Sequence, residues 1–211
     1  MRHIAAAFCL VGAVTCGGCT VGEGDGAVTS TRLYVHDCWD GPFDLGPTFF
    51  AANAFSTQQV SMRVQRGDNN QEVSDGLTVS IRDLQSIRSK SLGQPVPVGI
   101  PPGVDLSGGA TFAGNTDAVV SLSLYLHDTC YLQNGALYSI GGEITFTHLF
   151  SGNPNETVGD KRLTEAQFEN VEFADPRDVA SDGTFETGKV SLVSGWFRFY
   201  FQRGQPAQPF P

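Results

Sequence analysis

An antiparallel β-sandwich or barrel-like single domain, mostly β with at most one short helix, is the fold class this 211-residue sequence predicts. Three observations predict it. Apolar and polar residues alternate by two in one segment after another, while the 3.6-residue period of an amphipathic helix is almost absent. Gly, Asn, Asp and Pro punctuate the alternating segments. The chain is 40% hydrophobic, enough for a core, so its formal charge of −9 does not imply disorder. That acidic balance repels phosphate backbones and anionic lipid headgroups, which argues against nucleic acid as a partner.

The N-terminus reads as a targeting segment. Met1-Arg2-His3 is short and positive. Residues 4–15 form an apolar run of the length secretion signals use, too short to span a bilayer. Cys16-Gly17-Gly18-Cys19 follows. Small residues directly before a cysteine resemble the lipobox of bacterial exported lipoproteins, and the resemblance is confined to this segment. It implies cleavage just before the cysteine and a diacylglycerol on its thiol. Cys19, behind Gly17 and Gly18, fits better than Cys16, behind Ala13-Val14-Thr15. The resemblance divides the chain into a signal peptide at 1–18, a tether rich in Gly and acid at 19–30, and a β-rich domain at 31–211. It also implies an exported protein held in the bacterial cell envelope, at the outer membrane, by its N-terminal lipid; two or more acyl chains make such an anchor stable.

Of five cysteines, Cys9 and Cys16 then leave with the signal and Cys19 carries lipid. Cys38 and Cys130 remain, an even pair in an oxidising compartment, and a disulfide is expected. Their strand phases disagree: Cys38 falls on the face of Tyr34 and His36, Cys130 on that of Leu124 and Leu126. A bulge at Thr129 is expected to bring the sulfurs together.

Strand signals run along the whole domain. Residues 31–38 alternate and end at the turn Asp40-Gly41-Pro42, and a Phe-rich stretch (Phe43, Phe49, Phe50, Phe55) is expected to fold over a sheet edge. Val60, Met62 and Val64 share one face of a hairpin with Leu77, Val79 and Ile81, across a Gly67-Asp68-Asn69-Asn70 turn. Residues 89–117 are rich in Pro and Gly and are excluded as a central strand, because proline donates no ladder bond. Residues 119–130 carry Val120, Leu122, Leu124 and Leu126 inward. In 136–150, Ile144, Phe146, His148 and Phe150 share the apolar face, which makes His148 a core residue. Thr164-Glu165-Ala166-Gln167 has the form of a capping box and predicts a short helix to about Asn170. The strongest strand comes last: Val193, Phe197, Phe199 and Phe201 alternate with Trp196, Arg198 and Tyr200.

Leu33-Tyr34-Val35-His36-Asp37-Cys38-Trp39 returns as Leu124-Tyr125-Leu126-His127-Asp128-Thr129-Cys130-Tyr131. His36, Asp37, His127 and Asp128 are metal-ligand types, and convergence of the two copies would form a zinc-like site. Adjacent residues on a strand point to opposite faces, so the simpler expectation is surface histidines beside turn-forming aspartates. Aspartate clusters at 37, 40 and 44 and at 175, 178 and 182 lack EF-hand spacing and read as solvated turns. There is no Gly-x-Ser-x-Gly elbow, phosphate-binding loop, His-Glu-x-x-His or Cys-x-x-Cys motif. Trp196, Arg198 and Tyr200 share one strand face, where rings flanking a guanidinium can stack on a sugar or dock a protein. The sequence therefore predicts a non-catalytic envelope lipoprotein without a cofactor, structural or binding a glycan or envelope protein. The alternative is a metal-dependent hydrolase built on the two His-Asp pairs.

Overall fold

The computed structural model describes residues 20–54, 56, 58–67, 74–104, 117–133, 135–153, 156–180 and 184–201. The signal segment with Cys9, Cys16 and Cys19 lies outside the described residues, as do Phe55, Asp182 and the C-terminal residues 202–211. Among the described residues, no helix is long and apolar enough to cross a membrane.

Eleven strands make one sheet. They are β1 (Thr20–Val35), β2 (Trp39–Leu45), β3 (Phe49–Ala54), β4 (Val60–Gln65), β5 (Gly76–Ile81) and β6 (Pro95–Gly99), then β7 (Val120–Leu126), β8 (Gly135–Gly141), β9 (Glu143–His148), β10 (Leu163–Ala174) and β11 (Val190–Phe201). Pairing runs β1–β3–β4–β5–β7–β8–β10–β11 and returns to β1, so the sheet closes on itself as a barrel. Two corners are doubled. β2 continues the edge of β1 beyond β3, and β6 with β9 fills the gap between β7 and β10 beyond β8. All pairings are antiparallel except the short contact of β6 with β7. Closure leaves few free edges, the usual liability of an antiparallel sheet.

Phenylalanines fill the interior. Phe50, Phe146, Phe173, Phe197, Phe199 and Phe201 are all fully buried, and the rings of Phe199 and Phe201 lie 4.9 Å apart, those of Phe50 and Phe199 5.4 Å. Each such ring contributes about 1.5–3 kcal/mol by leaving water. The Phe-rich stretch therefore does not fold over an edge: Phe43 is in β2, Phe49 and Phe50 are in β3, and all three are buried.

Residues 20–30 are strand, not tether. β1 begins at Thr20 and pairs with β11 from Gly22 to Thr29. Gly22, Gly24 and Gly26 sit opposite Phe201, Phe199 and Phe197, where a side chain would collide. A Cβ on Gly24 would stand 2.2 Å from the Arg198 carbonyl oxygen, and one on Gly22 would stand 2.6 Å from the Phe199 ring. The glycines are there so that β1 can lie close against a wall of phenylalanines.

Three further expectations are corrected. A strand, β6, does form in the Pro-rich stretch, with Val96 and Val98 inward and Pro95 and Pro97 exposed; it pairs with β9 at 95–97 and with β7 at 98–99, so neither half is laddered on both sides. The predicted helix at 164–170 is part of β10, and the Thr164 hydroxyl accepts from the Phe150 N–H at 3.1 Å instead of capping a turn. Besides three short 3-10 turns, the helical segment among the described residues lies earlier, at Leu84–Ser86 continued by Ile87–Ser91, with Asp83 accepting from the Ser86 N–H. His148 is exposed at the end of β9, because register shifts after Phe146; its Nδ1 lies 3.1 Å from Glu165 Oε2.

Candidate functional site

The side wall of the barrel where β11 runs between β1 and β10 carries an open concavity. Alternation along β11 puts Val193, Phe197, Phe199 and Phe201 into the core and Leu192, Trp196, Arg198 and Tyr200 outward. Trp196 is 43% exposed and Tyr200 41%, at strand spacing about 13 Å apart. Register decides what surrounds them. Trp196 lies between Ala27 and Gln167, Arg198 between Asp25 and Glu165, and Tyr200 between Glu23 and Leu163.

Trp196 is the shared wall of three depressions. A trough of about 810 Å³ extends from it over β10 and β9 to Pro95, lined by Thr29, Glu143, Thr145, Gln167, Glu169 and Ser194 among others. One smaller hollow contains Arg198 and Tyr200 with Glu23 and Asp25, and another contains Glu165 and Thr147. The trough is within the volume range of ligand sites, about 300–1,000 Å³. A β-bulge makes it. Pairing of β10 with β11 shifts between Phe168 and Val171, so Glu169 and Asn170 both face outward before the core phase resumes at Val171. Asn170 takes a left-handed backbone (φ 52°), and its N–H donates to Ser194 Oγ at 3.0 Å, a conformation that Asn tolerates better than most residues. The side chains of Trp196, Arg198 and Tyr200 make no hydrogen bond or ion pair among the described residues, so the indole N–H, guanidinium and phenol stand outward without a partner there.

At the other candidate region, the Cys38–Cys130 disulfide is formed, with Cα atoms 5.8 Å apart and a sequence separation of 92. The phase conflict disappears because neither cysteine is in a strand. Residues 36–38 and 127–133 are turns, and Asp37 turns the first with φ 53°. The bulge expected at Thr129 is not needed.

The two His-Asp copies do not make a metal centre. Among the described residues no three His, Cys, Asp or Glu side chains are gathered to hold an ion. His36 is engaged elsewhere: its Nδ1 lies 2.9 Å from Asp178 Oδ1 and its Nε2 3.2 Å from Asp37 Oδ2. The His127 ring stacks on Tyr125, with centroids 6.1 Å apart, and Asp128 is exposed in its turn.

Buried aspartates hold these turns instead. Asp75 accepts the Asp128 and Thr129 N–H groups at 2.9 and 3.1 Å and the Thr129 hydroxyl at 2.5 Å. Asp175 accepts the His36 N–H at 3.2 Å and both the Nε and NH2 groups of Arg177 at 2.9 and 2.6 Å. Gln133 donates to the Asp37 carbonyl at 3.0 Å and accepts from Arg177 at 2.9 Å, tying the two turns to each other. Each copy of the repeat thus ends in a turn latched by a carboxylate from a distant strand end. Of the aspartates read as solvated turns, Asp175 and Asp178 are in fact buried, while Asp40 forms an exposed pair with Arg32 at 2.7 Å.

Burial pushes the Asp178 carboxyl up, but Lys189 Nζ at 2.8 Å and His36 at 2.9 Å outweigh it and hold Asp178 below the usual carboxylate range. A depressed acid adds stability above its unfolded value, about 3.9, and loses it as pH falls through the folded value. Replacing Lys189 raises the folded value. Lys189→Met is therefore expected to begin acid unfolding at higher pH than the parent, read by circular dichroism between pH 5 and 2; unchanged acid midpoints would contradict the pairing.

No protein-family model matches the chain, and no curated protein matches it.

Proposed function

We propose that this is a non-catalytic, lipid-anchored cell-envelope protein that binds a glycan chain along the Trp196 wall. The observation that carries the reading is the open trough ending on an exposed tryptophan, with the donors of Arg198 and Tyr200 unused beside it. A sugar presents apolar ring faces and a rim of hydroxyls. An indole supplies the stacking face, and Gln167, Thr145, Ser194 and Glu169 supply polar partners. The exposure of Trp196 and Tyr200 weighs against a purely structural role, for which a covered face would be expected.

The chain's two tryptophans are Trp39 and Trp196, so a Trp39→Phe protein reports on Trp196 fluorescence alone. Titrated with β-1,4-linked oligosaccharides, it is expected to show a saturable change. Affinity measured by calorimetry should fall about tenfold to thirtyfold in Trp196→Ala, an anchor truncation costing about 1.5–2 kcal/mol. Equal binding by parent and Trp196→Ala would reject the site.

A separate observation favours docking of an envelope protein as a second reading. The disulfide joins the turn that leads into Trp39 to the turn that carries Tyr131 and Leu132, and these three side chains are 39%, 71% and 80% exposed. They stand at the end of β1 opposite Thr20, so a lipid on Cys19 would leave them facing away from the anchoring membrane.

A further inference from the structure

From the charges around the trough we infer that the glycan is one bearing amino sugars with free amines, and that polyanionic glycans are rejected. The inference rests on the glycan reading and adds the ligand's charge. Glu143 and Glu169 line the trough, Glu165 lines the hollow beside it, and Glu23 and Asp25 line the third depression that Trp196 shares.

Among the described residues, no lysine, arginine or histidine lines the trough itself. Arg198 lies in register between Asp25 on β1 and Glu165 on β10, and His148 is held by Glu165 at 3.1 Å. The side chains of Glu143 and Glu169 make no hydrogen bond or ion pair among the described residues. A ligand lying from Trp196 toward Pro95 passes both carboxylates with no cation to meet its own acids. A uronate or phosphate there meets like charge, whereas a protonated amine meets an acceptor. The indole gives stacking to either kind of chain, so the carboxylates decide between them.

The test uses the full oxidised chain and three β-1,4- or α-1,4-linked hexamers in calorimetry at low salt: glucosamine, N-acetylglucosamine and galacturonate. Each exposed charge pair changes affinity by up to about fivefold. The glucosamine hexamer is therefore expected to bind at least about fivefold more tightly than its N-acetylated counterpart, and the galacturonate hexamer to bind least. The preference should shrink toward unity in high salt, where exposed pairs are screened, and in Glu143→Gln/Glu169→Gln, whose exposed side chains leave the fold intact. Galacturonate binding as tight as glucosamine would overturn the charge inference while leaving the glycan site standing. Glucosamine binding that survives in Trp196→Ala would overturn it too, as general attraction to an acidic protein. Binding by none of the three would reject both readings.

Discussion

Cys38→Ser/Cys130→Ser is expected to unfold about 4–5 kcal/mol more easily than the parent. The bridge spans 92 residues, and closing so long a loop removes about that much free energy from the unfolded state in the chain-entropy model. Small domains are stable by about 5–15 kcal/mol in all, so the loss is about a quarter or more of the total. The melting temperature should fall by about 10–15 °C, at about 2–4 °C per kcal/mol for a domain of this size. The native barrel should survive in the variant at low temperature. Most of its core lies along the strands; Cys130 is buried with that core and Cys38 packs against it, but both stand in turns that keep the Asp75, Asp175 and Gln133 hydrogen bonds. Guanidinium unfolding of parent and variant measures the difference. A loss below about 1 kcal/mol would mean that native-state strain cancels the loop term, and that the bridge constrains the tip locally and adds little to the whole fold.

That a disulfide joins Cys38 to Cys130 could be read from counting; how it does so could not. Strand phase placed the two sulfurs on opposed faces, because the alternation of Leu33, Val35 and of Leu124, Leu126 was carried on into residues that are turns. Where every second residue is a large apolar one the reading succeeds. Val60, Met62 and Val64 face Leu77, Val79 and Ile81, and Val64 pairs with Leu77 in register. The same holds for β11. It fails where the inward residue is small. Gly22, Gly24 and Gly26 alternate with Glu23, Asp25 and Ala27, a strict period of two without a hydrophobic signal, and the stretch resembles a flexible linker until β11 is seen pressed against it. It fails again where the phase slips: Ala166 and Phe168 precede the bulge and Val171 and Phe173 follow it, so the inward positions of β10 mimic the mixed spacing of a short helix.

The candidate site divides along the same line. Trp196, Arg198 and Tyr200 share a face by simple alternation, and that is a local property of β11. The trough beside them is not local. Its carboxylates come from β9 and β10 and part of its wall from Ala27 and Thr29 of β1, brought together by pairings whose register no stretch of one strand contains, and Phe168 and Glu169 at the β10 bulge line it. The repeated His-Asp stretch shows the converse. Its residue types suggested chemistry, yet the groups that define its environment lie far away in sequence: Asp75 and Asp175 accept from backbone N–H groups of the turns, and Asp178 holds the His36 ring.

Asp75→Ala tests that assignment and carries the second large effect. Asp75 is fully buried and accepts three hydrogen bonds from the 128–129 turn, two of them from backbone N–H groups with no alternative strand partner. Truncation orphans those donors at about 1–3 kcal/mol each, so a loss of about 2–5 kcal/mol is expected, with the smaller value if water enters. Asp75→Asn keeps one carbonyl oxygen for the two N–H groups and offers its amide to the Thr129 hydroxyl, which can turn to accept. It should cost only about 1 kcal/mol, the difference between a charged and a neutral acceptor. A structural latch predicts this order; equal losses for Ala and Asn would point to the charge itself. Thr129 adjoins Cys130, so the latch and the disulfide restrain the same turn and their losses should not add. In the Cys38→Ser/Cys130→Ser background, Asp75→Ala is expected to deviate from additivity by about 0.5 kcal/mol or more. Strict additivity would show that the carboxylate and the disulfide stabilise the tip independently, each holding its own segment.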